Sequence, residues 1–157
     1  MAPQKAVAGE PMKKRGFTLI ELLITLAVAV ILATVAVPGF QRMMAVNRMA
    51  ADYNELIAGL NYARSEAIKR RSDVTFEVVD DSPWAYEVIF DGDVLRVRSG
   101  RDGRTDLDDE FSVIFNSLGR PIGGCSSGCS VTLGSNMTGA TDRVIAITSM
   151  GRVTRSP

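Results

Sequence analysis

Residues 14–41 of the chain read KRGFTLIELLITLAVAVILATVAVPGFQ, and this stretch decides how the N-terminal part folds. From Leu22 to Gln41 there are 20 residues without a charge. A helix of about 20 apolar residues is long enough to cross a bilayer. Residues 1–16 carry a net charge of +3, and a basic flank of this kind stays in the cytoplasm. The sequence therefore predicts a membrane-spanning helix over residues 17–41, with everything after Arg42 on the far side of the membrane.

Two other interpretations of this apolar segment stay open on the residues alone. A secretory signal peptide ends in small residues of the Ala-x-Ala type, and here the segment ends in Val35-Ala36-Val37-Pro38-Gly39. A plain membrane anchor gives no reason for Glu21, the fifth residue of the apolar block. A charged side chain at the bilayer centre costs at least about 2.5–3.5 kcal/mol, although the cost is smaller near the cytoplasmic end, where Glu21 lies. Glu21 is therefore a candidate functional residue.

The segment Lys14-Arg15-Gly16-Phe17-Thr18-Leu19-Ile20-Glu21 resembles the processing site of type IV prepilins and pseudopilins. The resemblance implies that residues 1–16 are a leader peptide, that a prepilin peptidase cuts after Gly16, and that the new N-terminal residue, Phe17, is methylated. It also implies that Glu21 neutralises the free amine of a neighbouring subunit in the growing fibre. Because an unpaired charge in an apolar bundle is costly, Glu21 would test whether an incoming subunit is in register.

The composition points away from catalysis. The chain of 157 residues has 18 Lys and Arg, 18 Asp and Glu, and no His, so its formal net charge is zero. Histidine is the usual general base and the commonest metal ligand, so its absence removes Ser-His-Asp and Cys-His sites. We expect no enzyme, no metal site and no cofactor. Met1 and Met12 are both possible starts of the leader, and its removal would leave a subunit with a net charge of −3.

A second helical pattern follows the apolar block. Apolar residues spaced alternately three and four apart occupy Val46, Met49, Tyr53, Leu56, Leu60, Ala63 and Ala67. This spacing is typical of a helix that buries one stripe, here against a sheet. It predicts one helix from Phe17 to about Arg71, whose amphipathic half covers residues 42–72. Pro38 and Gly39 predict a kink or a locally melted segment within that helix.

Strand patterns begin after the helix. Six short runs rich in β-branched and aromatic residues are Val74–Val79, Trp84–Phe90, Val94–Arg98, Phe111–Phe115, Ser130–Leu133 and Val144–Thr148. Turn residues separate them, and Asp91-Gly92 is a good hairpin signal. The predicted fold class is α+β, a type IV pilin-like arrangement. Its long N-terminal helix, a transmembrane half plus an amphipathic half, packs on an antiparallel β-sheet domain. Residues 42–157 would form the periplasmic or extracellular globular domain.

Four segments narrow the resemblance to the FimT/FimU (GspH-like) minor pilins; they are residues 54–60, 63–70, 115–121 and 149–155. The same broad family includes the H-type pseudopilins of type II secretion systems. The resemblance implies a minor pilin that helps a type IV pilus assemble, and the block at residues 63–67 favours this branch. Its partners would be other pilins, the prepilin peptidase and the inner-membrane assembly machinery. The subunit would lie in the inner membrane before assembly and in the fibre at the cell surface afterwards. A minor pseudopilin of a type II secretion system is the alternative.

Cys125 and Cys129 are the two cysteines of the chain. Two thiols without His lack the further strong ligands that a zinc site needs. Three residues separate them, whereas a redox motif has two. Because the domain is predicted to lie outside the cytoplasm, we expect a disulfide. It would close a short loop before the strand at residues 130–133 and stabilise by less than the about 3 kcal/mol of a 15-residue loop.

Four late arginines raise a second functional hypothesis. They are Arg120, Arg143, Arg152 and Arg155, and with Asp142 as the one acid they make the chain from Phe111 onward locally +3. Such a patch attracts phosphate. The resemblance to FimT implies binding of double-stranded DNA for natural transformation through a C-terminal Gly-Arg-x-Arg element. Here the second arginine is displaced by one position, which on an extended strand puts Arg152 and Arg155 on opposite faces. The alternative is that these arginines are solvated surface charge, as in a pseudopilin that does not bind DNA.

Overall fold

The computed structural model describes residues 16–107 and 110–155. The predicted leader before Gly16, with its basic residues and Met12, lies outside the described residues. Two compact units make up the chain, the first ending at Pro38 and the second beginning at Gly39.

Helix α1 (Leu19–Arg70) is 52 residues long and includes Pro38. Thr18 caps its N-terminus: the side-chain Oγ1 of Thr18 accepts the backbone N–H of Glu21 at 3.3 Å. A threonine in this position satisfies one of the backbone donors that the first helical turn leaves without a partner. The predicted helix from Phe17 to about Arg71 is thus confirmed to within two residues at its start and one at its end.

The C-terminal end of α1 is a Schellman motif. Arg71 has a φ of 55°, and its N–H donates to the carbonyl of Ile68 at 3.3 Å. The N–H of Ser72 donates to the carbonyl of Ala67 at 3.2 Å. These two bonds pair carbonyls of the last turn and end the helix, and three residues separate it from the first strand.

Within the second unit α1 buries one face against the sheets. The buried residues are Ala45, Met49, Tyr53, Leu56, Gly59, Leu60, Ala63, Glu66 and Ala67. Six of the seven positions of the predicted stripe are among them. The exception is Val46, which is 39% exposed, while its neighbour Ala45 is buried in its place. The prediction for Val46 was wrong. An α-helix has 3.6 residues per turn, so Ala45, four residues before Met49, lies on the buried face instead.

Within the described residues, nine strands form two antiparallel sheets. Their bounds are β1 (Val74–Asp81), β2 (Trp84–Phe90), β3 (Asp93–Ser99), β4 (Thr105–Leu107), β5 (Ser112–Phe115), β6 (Pro121–Ile122), β7 (Gly128–Ser135), β8 (Arg143–Thr148) and β9 (Val153–Arg155). The first sheet has the order β3-β2-β1-β5-β6 and the second β4-β7-β8-β9. All six predicted strands are present within two residues of their expected bounds. The strands β4, β6 and β9 were not predicted, because two or three residues are too few to show an alternating pattern.

Both sheets contribute to one core beneath the helix. Phe76 and Tyr86 of the first sheet stack with their ring centroids 4.6 Å apart. Leu133 and Ile145 of the second sheet are fully buried in the same cluster. The hydroxyl of Tyr53 on α1 donates to the carbonyl of Val144 in β8 at 3.0 Å. The α+β class, with the helix packed on antiparallel sheets, is therefore confirmed.

Candidate functional site

The first candidate site is the exposed N-terminal part of α1. Large apolar side chains from Phe17 to Val37 are 50–83% exposed. Soluble proteins rarely leave a contiguous apolar surface of this size without a partner. Among the described residues α1 is the one helix long and apolar enough to cross a membrane, by its length and composition. This segment therefore needs a lipid or protein environment.

Glu21 lies in the first turn of this exposed segment. The N-terminus of a helix carries a partial positive charge, so an acid in the first turn is favourable there. No ion pair joins Glu21 to another described residue. Phe17 is 83% exposed, and Gly16 has open space around its Cα.

Pro38 and Gly39 lie inside α1, and the helix runs through both residues without a break. A Cβ at Gly39 would meet no atom within 4 Å. The expected kink stays a prediction.

The four late arginines fall into two groups in the structure. Arg143 and Arg155 lie over the ring of Tyr53, at 5.5 Å and 5.7 Å from its centroid. Arg155 also donates to the side-chain oxygen of Asn54 at 3.1 Å. Burial raises the pKa of Tyr53, and the two guanidinium groups oppose that shift. This pair is therefore engaged with the helix.

Arg120 and Arg152 form the second group, at a point where two turns contact each other. Each follows a glycine of positive φ, Gly119 at 70° and Gly151 at 77°. A Cβ added at Gly151 would overlap the carbonyl oxygen of Gly119, so the two turns are in backbone contact. Arg64 of α1 donates its Nε to that same carbonyl at 3.0 Å. We call Arg64, Arg120 and Arg152 the turn arginines.

Sequence reasoning missed Arg64 as a member of this group. The two turns did share a signal in the sequence: Gly-Arg occurs in two of the four segments that resemble the minor pilins, at residues 119–120 and 151–152. The turn arginines and the pair at Tyr53 meet α1 eleven residues apart, at Arg64 and Tyr53, or roughly 16 Å along a helix. The two groups of arginines therefore contact α1 at different turns.

A partly buried polar cluster was also missed. The hydroxyl of Tyr86 donates to Oε1 of Glu55 at 3.0 Å, and Arg96 donates to the same oxygen at 2.7 Å. Burial, followed by the bond to Glu55, raises the pKa of Tyr86 well above its ordinary value. Gly59 makes room for the tyrosine ring, since a Cβ there would meet its Cζ. These contacts fix the helix on β2 and β3.

Cys125 and Cys129 form the expected disulfide, with their Cα atoms 5.1 Å apart. It joins a 3₁₀ turn (Gly123–Cys125) to the start of β7. Among the described residues no group of three acidic, Cys or His side chains is placed to hold a metal ion.

Comparisons with known proteins agree with this geometry. A family model described as "Type II transport protein GspH" matches residues 52–151, and one described as "Prokaryotic N-terminal methylation motif" matches residues 11–37. The pilin-like protein PilA1 of Thermus thermophilus is 30% identical over 157 residues, covering 90% of this chain and 97% of that protein. A fimbrial protein of Pseudomonas aeruginosa is 29% identical over 122 residues, covering 76% and 78%.

The crystal structure of the type IV minor pilin FimU of Pseudomonas aeruginosa has the same fold. It matches with a TM-score of 0.60 and 22% identity, covering 71% of this chain and 90% of that one. The family matches span both the N-terminal motif and most of the sheet domain. The chain therefore belongs to the GspH-like family of type IV minor pilins and pseudopilins, a family of structural rather than catalytic proteins.

Proposed function

We propose that this protein is a minor subunit of a type IV pilus, inserted in the inner membrane and then moved into the fibre. The observation that carries the proposal is the exposed apolar segment from Phe17 to Val37 with Glu21 as its one charged residue. The names of the relatives, a fimbrial protein and a pilin-like protein, favour a pilus over a secretion pseudopilus. A minor pseudopilin of a type II secretion system is the second possibility.

Processing is the first step of this function. Residues 1–16 are the leader, a prepilin peptidase cuts after Gly16, and Phe17 becomes the methylated N-terminus. Residues 17–41 then cross the membrane and later enter the fibre core, and residues 42–157 form the domain on the far side. The test replaces Gly16 with Val, and Gly9→Val in the leader is the control. Mass spectrometry should find the mature, methylated Phe17 terminus only in the control; a normally shortened Gly16→Val product would contradict the proposal.

Glu21 acts in the second step. Its carboxylate has no partner within the described chain, and the side chains around it are apolar and exposed. Burial of this segment among other subunits leaves the charge costly unless an amine neutralises it. The free amine of a neighbouring Phe17 is such a group.

The experiment compares Glu21→Gln with Glu77→Gln, an exposed carboxylate on β1 with no ion pair among the described residues. Both variants lose one negative charge. Glu21→Gln should be cleaved normally but be depleted from sheared fibres, whereas Glu77→Gln should be incorporated like the parent. Equal incorporation of the two variants would refute the role of Glu21. Deleting the pilus assembly ATPase or the secretion ATPase shows which system takes up the parent chain.

DNA binding for natural transformation is a second candidate function. Support comes from Arg120 and Arg152, which are exposed and whose side chains have no ion pair or hydrogen bond to another described residue. Arg64 beside them adds a third guanidinium group. Arg143 and Arg155 are weaker candidates because they lie on Tyr53.

A gel-shift titration of the full chain in uncharged detergent with double-stranded DNA tests this candidate. The double variant Arg120→Glu/Arg152→Glu should abolish the shift, and Arg71→Glu, which reverses one charge at the end of α1, should keep it. Each phosphate contact contributes about 0.9 to the slope of log K against log salt, so Arg120→Gln/Arg152→Gln should reduce the slope by about 2. A shift unchanged in these variants would exclude the turn arginines as a DNA site.

A further inference from the structure

A cleft of about 690 Å³ lies within the second unit. One wall is the stretch of α1 from Phe40 to Asp52, and the other wall is made by the loops after β3 and after β7. Phe40, Met44 and Met137 are its large apolar residues. Phe40 is 59% and Met44 is 50% exposed, so their side chains have room for an apolar ligand.

Guanidinium groups line the same cleft. Arg48 pairs with Asp102 at 2.7 Å, and Arg104 approaches the same carboxylate at 3.7 Å. Asp52 accepts the hydroxyl of Thr105 at 2.7 Å. Arg101 also lines the cleft, and its side chain makes no hydrogen bond or ion pair with another described residue. The cleft thus combines an apolar floor with positive charge that its own acids do not fully neutralise.

Arg42 adds to this charge at the edge of the cleft. Its side chain lies against Gly139, where a Cβ would meet its Cγ, and it has no ion pair among the described residues. With Arg42 included, four arginines stand against Asp52 and Asp102, an excess of two positive charges. Such a concavity holds an anion rather than a neutral ligand.

The position of the cleft in the chain indicates which anion. Phe40 and Gln41 are the last residues of the uncharged block, and Arg42 is the first charged residue after it. Arginines are normally depleted on the side of a membrane to which a chain is translocated. Arg42 and Arg48 lie in the first turns of α1 beyond the predicted span, and the fold brings Arg101 and Arg104 to the same cleft, so these arginines need a local negative partner. At the interface of a bilayer that partner is the phosphate of a lipid headgroup.

We propose that this cleft binds one anionic phospholipid, with its phosphate on Arg42 and Arg101 and its glycerol and upper acyl chain against Phe40, Met44 and Met137. The proposal rests on the proposed function in one respect: the chain must be inserted in a membrane by residues 17–41. The lipid then seats the domain at the membrane surface before the subunit leaves for the fibre.

The test uses the full chain in an uncharged detergent and native mass spectrometry. Titration with phosphatidylglycerol or phosphatidylcholine gives an apparent affinity for the first bound lipid of each kind. Phosphatidylglycerol should bind at least about five-fold more tightly, and Arg101→Gln or Arg42→Gln should each lower that affinity about five-fold, the usual effect of one arginine near a lipid surface. Binding of phosphatidylcholine should not change.

Arg71→Gln is the matched control, because Arg71 is exposed at the other end of α1 and its loss removes the same charge. An equal affinity for the two lipids, or an equal loss in Arg71→Gln, would overturn the proposal. Loss of the preference in millimolar inorganic phosphate would assign the site to a free anion instead. Emission of the single tryptophan, the buried Trp84, shows that each variant is folded.

Flotation with phosphatidylcholine vesicles tests membrane insertion separately from the lipid site. A chain that does not float with these vesicles contradicts the membrane insertion in the proposed function. A chain that floats but shows no preference for phosphatidylglycerol contradicts the lipid site alone.

Discussion

Gly151 holds together the two turns that carry Arg120 and Arg152, and its replacement with Ala should destabilise the domain strongly. The residue has a φ of 77°, a conformation that side chains with a Cβ rarely adopt. A Cβ at this position would overlap the backbone oxygen of Gly119. The N–H of Gly151 donates to the carbonyl of Thr148 at 2.7 Å, so the turn cannot move aside without losing this bond.

The magnitude has two parts. The left-handed backbone costs an alanine about 1–2 kcal/mol. Forcing a methyl group against a fixed neighbour costs about 1–3 kcal/mol more. We therefore expect Gly151→Ala to lower the free energy of unfolding by about 2–5 kcal/mol, a large fraction of the about 5–15 kcal/mol of a typical domain.

Two glycines of the same chain separate these parts. Gly92 and Gly123 have φ values of 83° and 67°, and a Cβ at either would meet no atom within 4 Å. Gly92→Ala and Gly123→Ala should therefore pay only the backbone cost, about 1–2 kcal/mol. The excess of Gly151→Ala over these controls measures the contact between the turns.

Urea titration of the full chain in uncharged detergent, followed by Trp84 emission, gives the free energies. The tryptophan is 1% exposed in the core, so its emission reports unfolding of the second unit. With a denaturant slope of about 2 kcal/mol per molar, Gly151→Ala should shift the midpoint by about 1–2.5 M. A shift equal to that of Gly92→Ala would show that the turns are not in rigid contact, and the reasoning would be wrong.

Three further predictions use the same titration. Gly59→Ala should destabilise by about 1–3 kcal/mol through the ring of Tyr86, although alanine gains up to about 1 kcal/mol in a helix interior; a net gain in stability would contradict the close contact. A hydrogen bond from Arg70 lowers the pKa of Glu66 in the folded protein below its ordinary 4.5. The stabilisation by this carboxylate is therefore full above pH 4.5, and it disappears as the pH falls through the lower pKa of the folded state. Glu66→Gln should therefore lower the urea midpoint at neutral pH, and the difference from the parent should close in strong acid; a difference independent of pH would refute this. Replacing both Cys125 and Cys129 with Ser should cost at most about 2 kcal/mol, because their loop is short, and a larger loss would show that the bridge holds more than its own turn.

The late arginines show that position along the chain does not determine position in the fold. The late arginines make the chain from Phe111 onward locally +3, and their spacing predicted Arg152 and Arg155 on opposite faces of an extended strand. Folding sends Arg155 and Arg143 onto Tyr53 and leaves Arg120 and Arg152 at the touching turns. Arg143 and Arg155 come together because β8 pairs with β9, whereas Arg120 and Arg152 follow turns that touch across the fold.

The strands also divide into those that a local sequence pattern predicts and those that only pairing in the fold defines. The runs that became β1, β2 and β8 were predicted because each is long enough to alternate between a buried and an exposed face. β6 starts with Pro121 and has two residues, so only its pairing with Ile114 and Phe115 defines it. Whether the strands form one sheet or two depends on pairing across many residues, which no local pattern encodes.

The sequence by itself determined the long helix, the exposed apolar segment, the position of Glu21 and the disulfide of Cys125 and Cys129. Each of these depends on residues close together in the chain, where helical periodicity, uncharged length and cysteine spacing act directly. The tertiary structure decided the contact of Gly119 with Gly151, the arginine-lined cleft and the partly buried hydrogen bond between Tyr86 and Glu55. These arise from contacts between elements 31 or more residues apart, whose energies depend on packing rather than on local sequence.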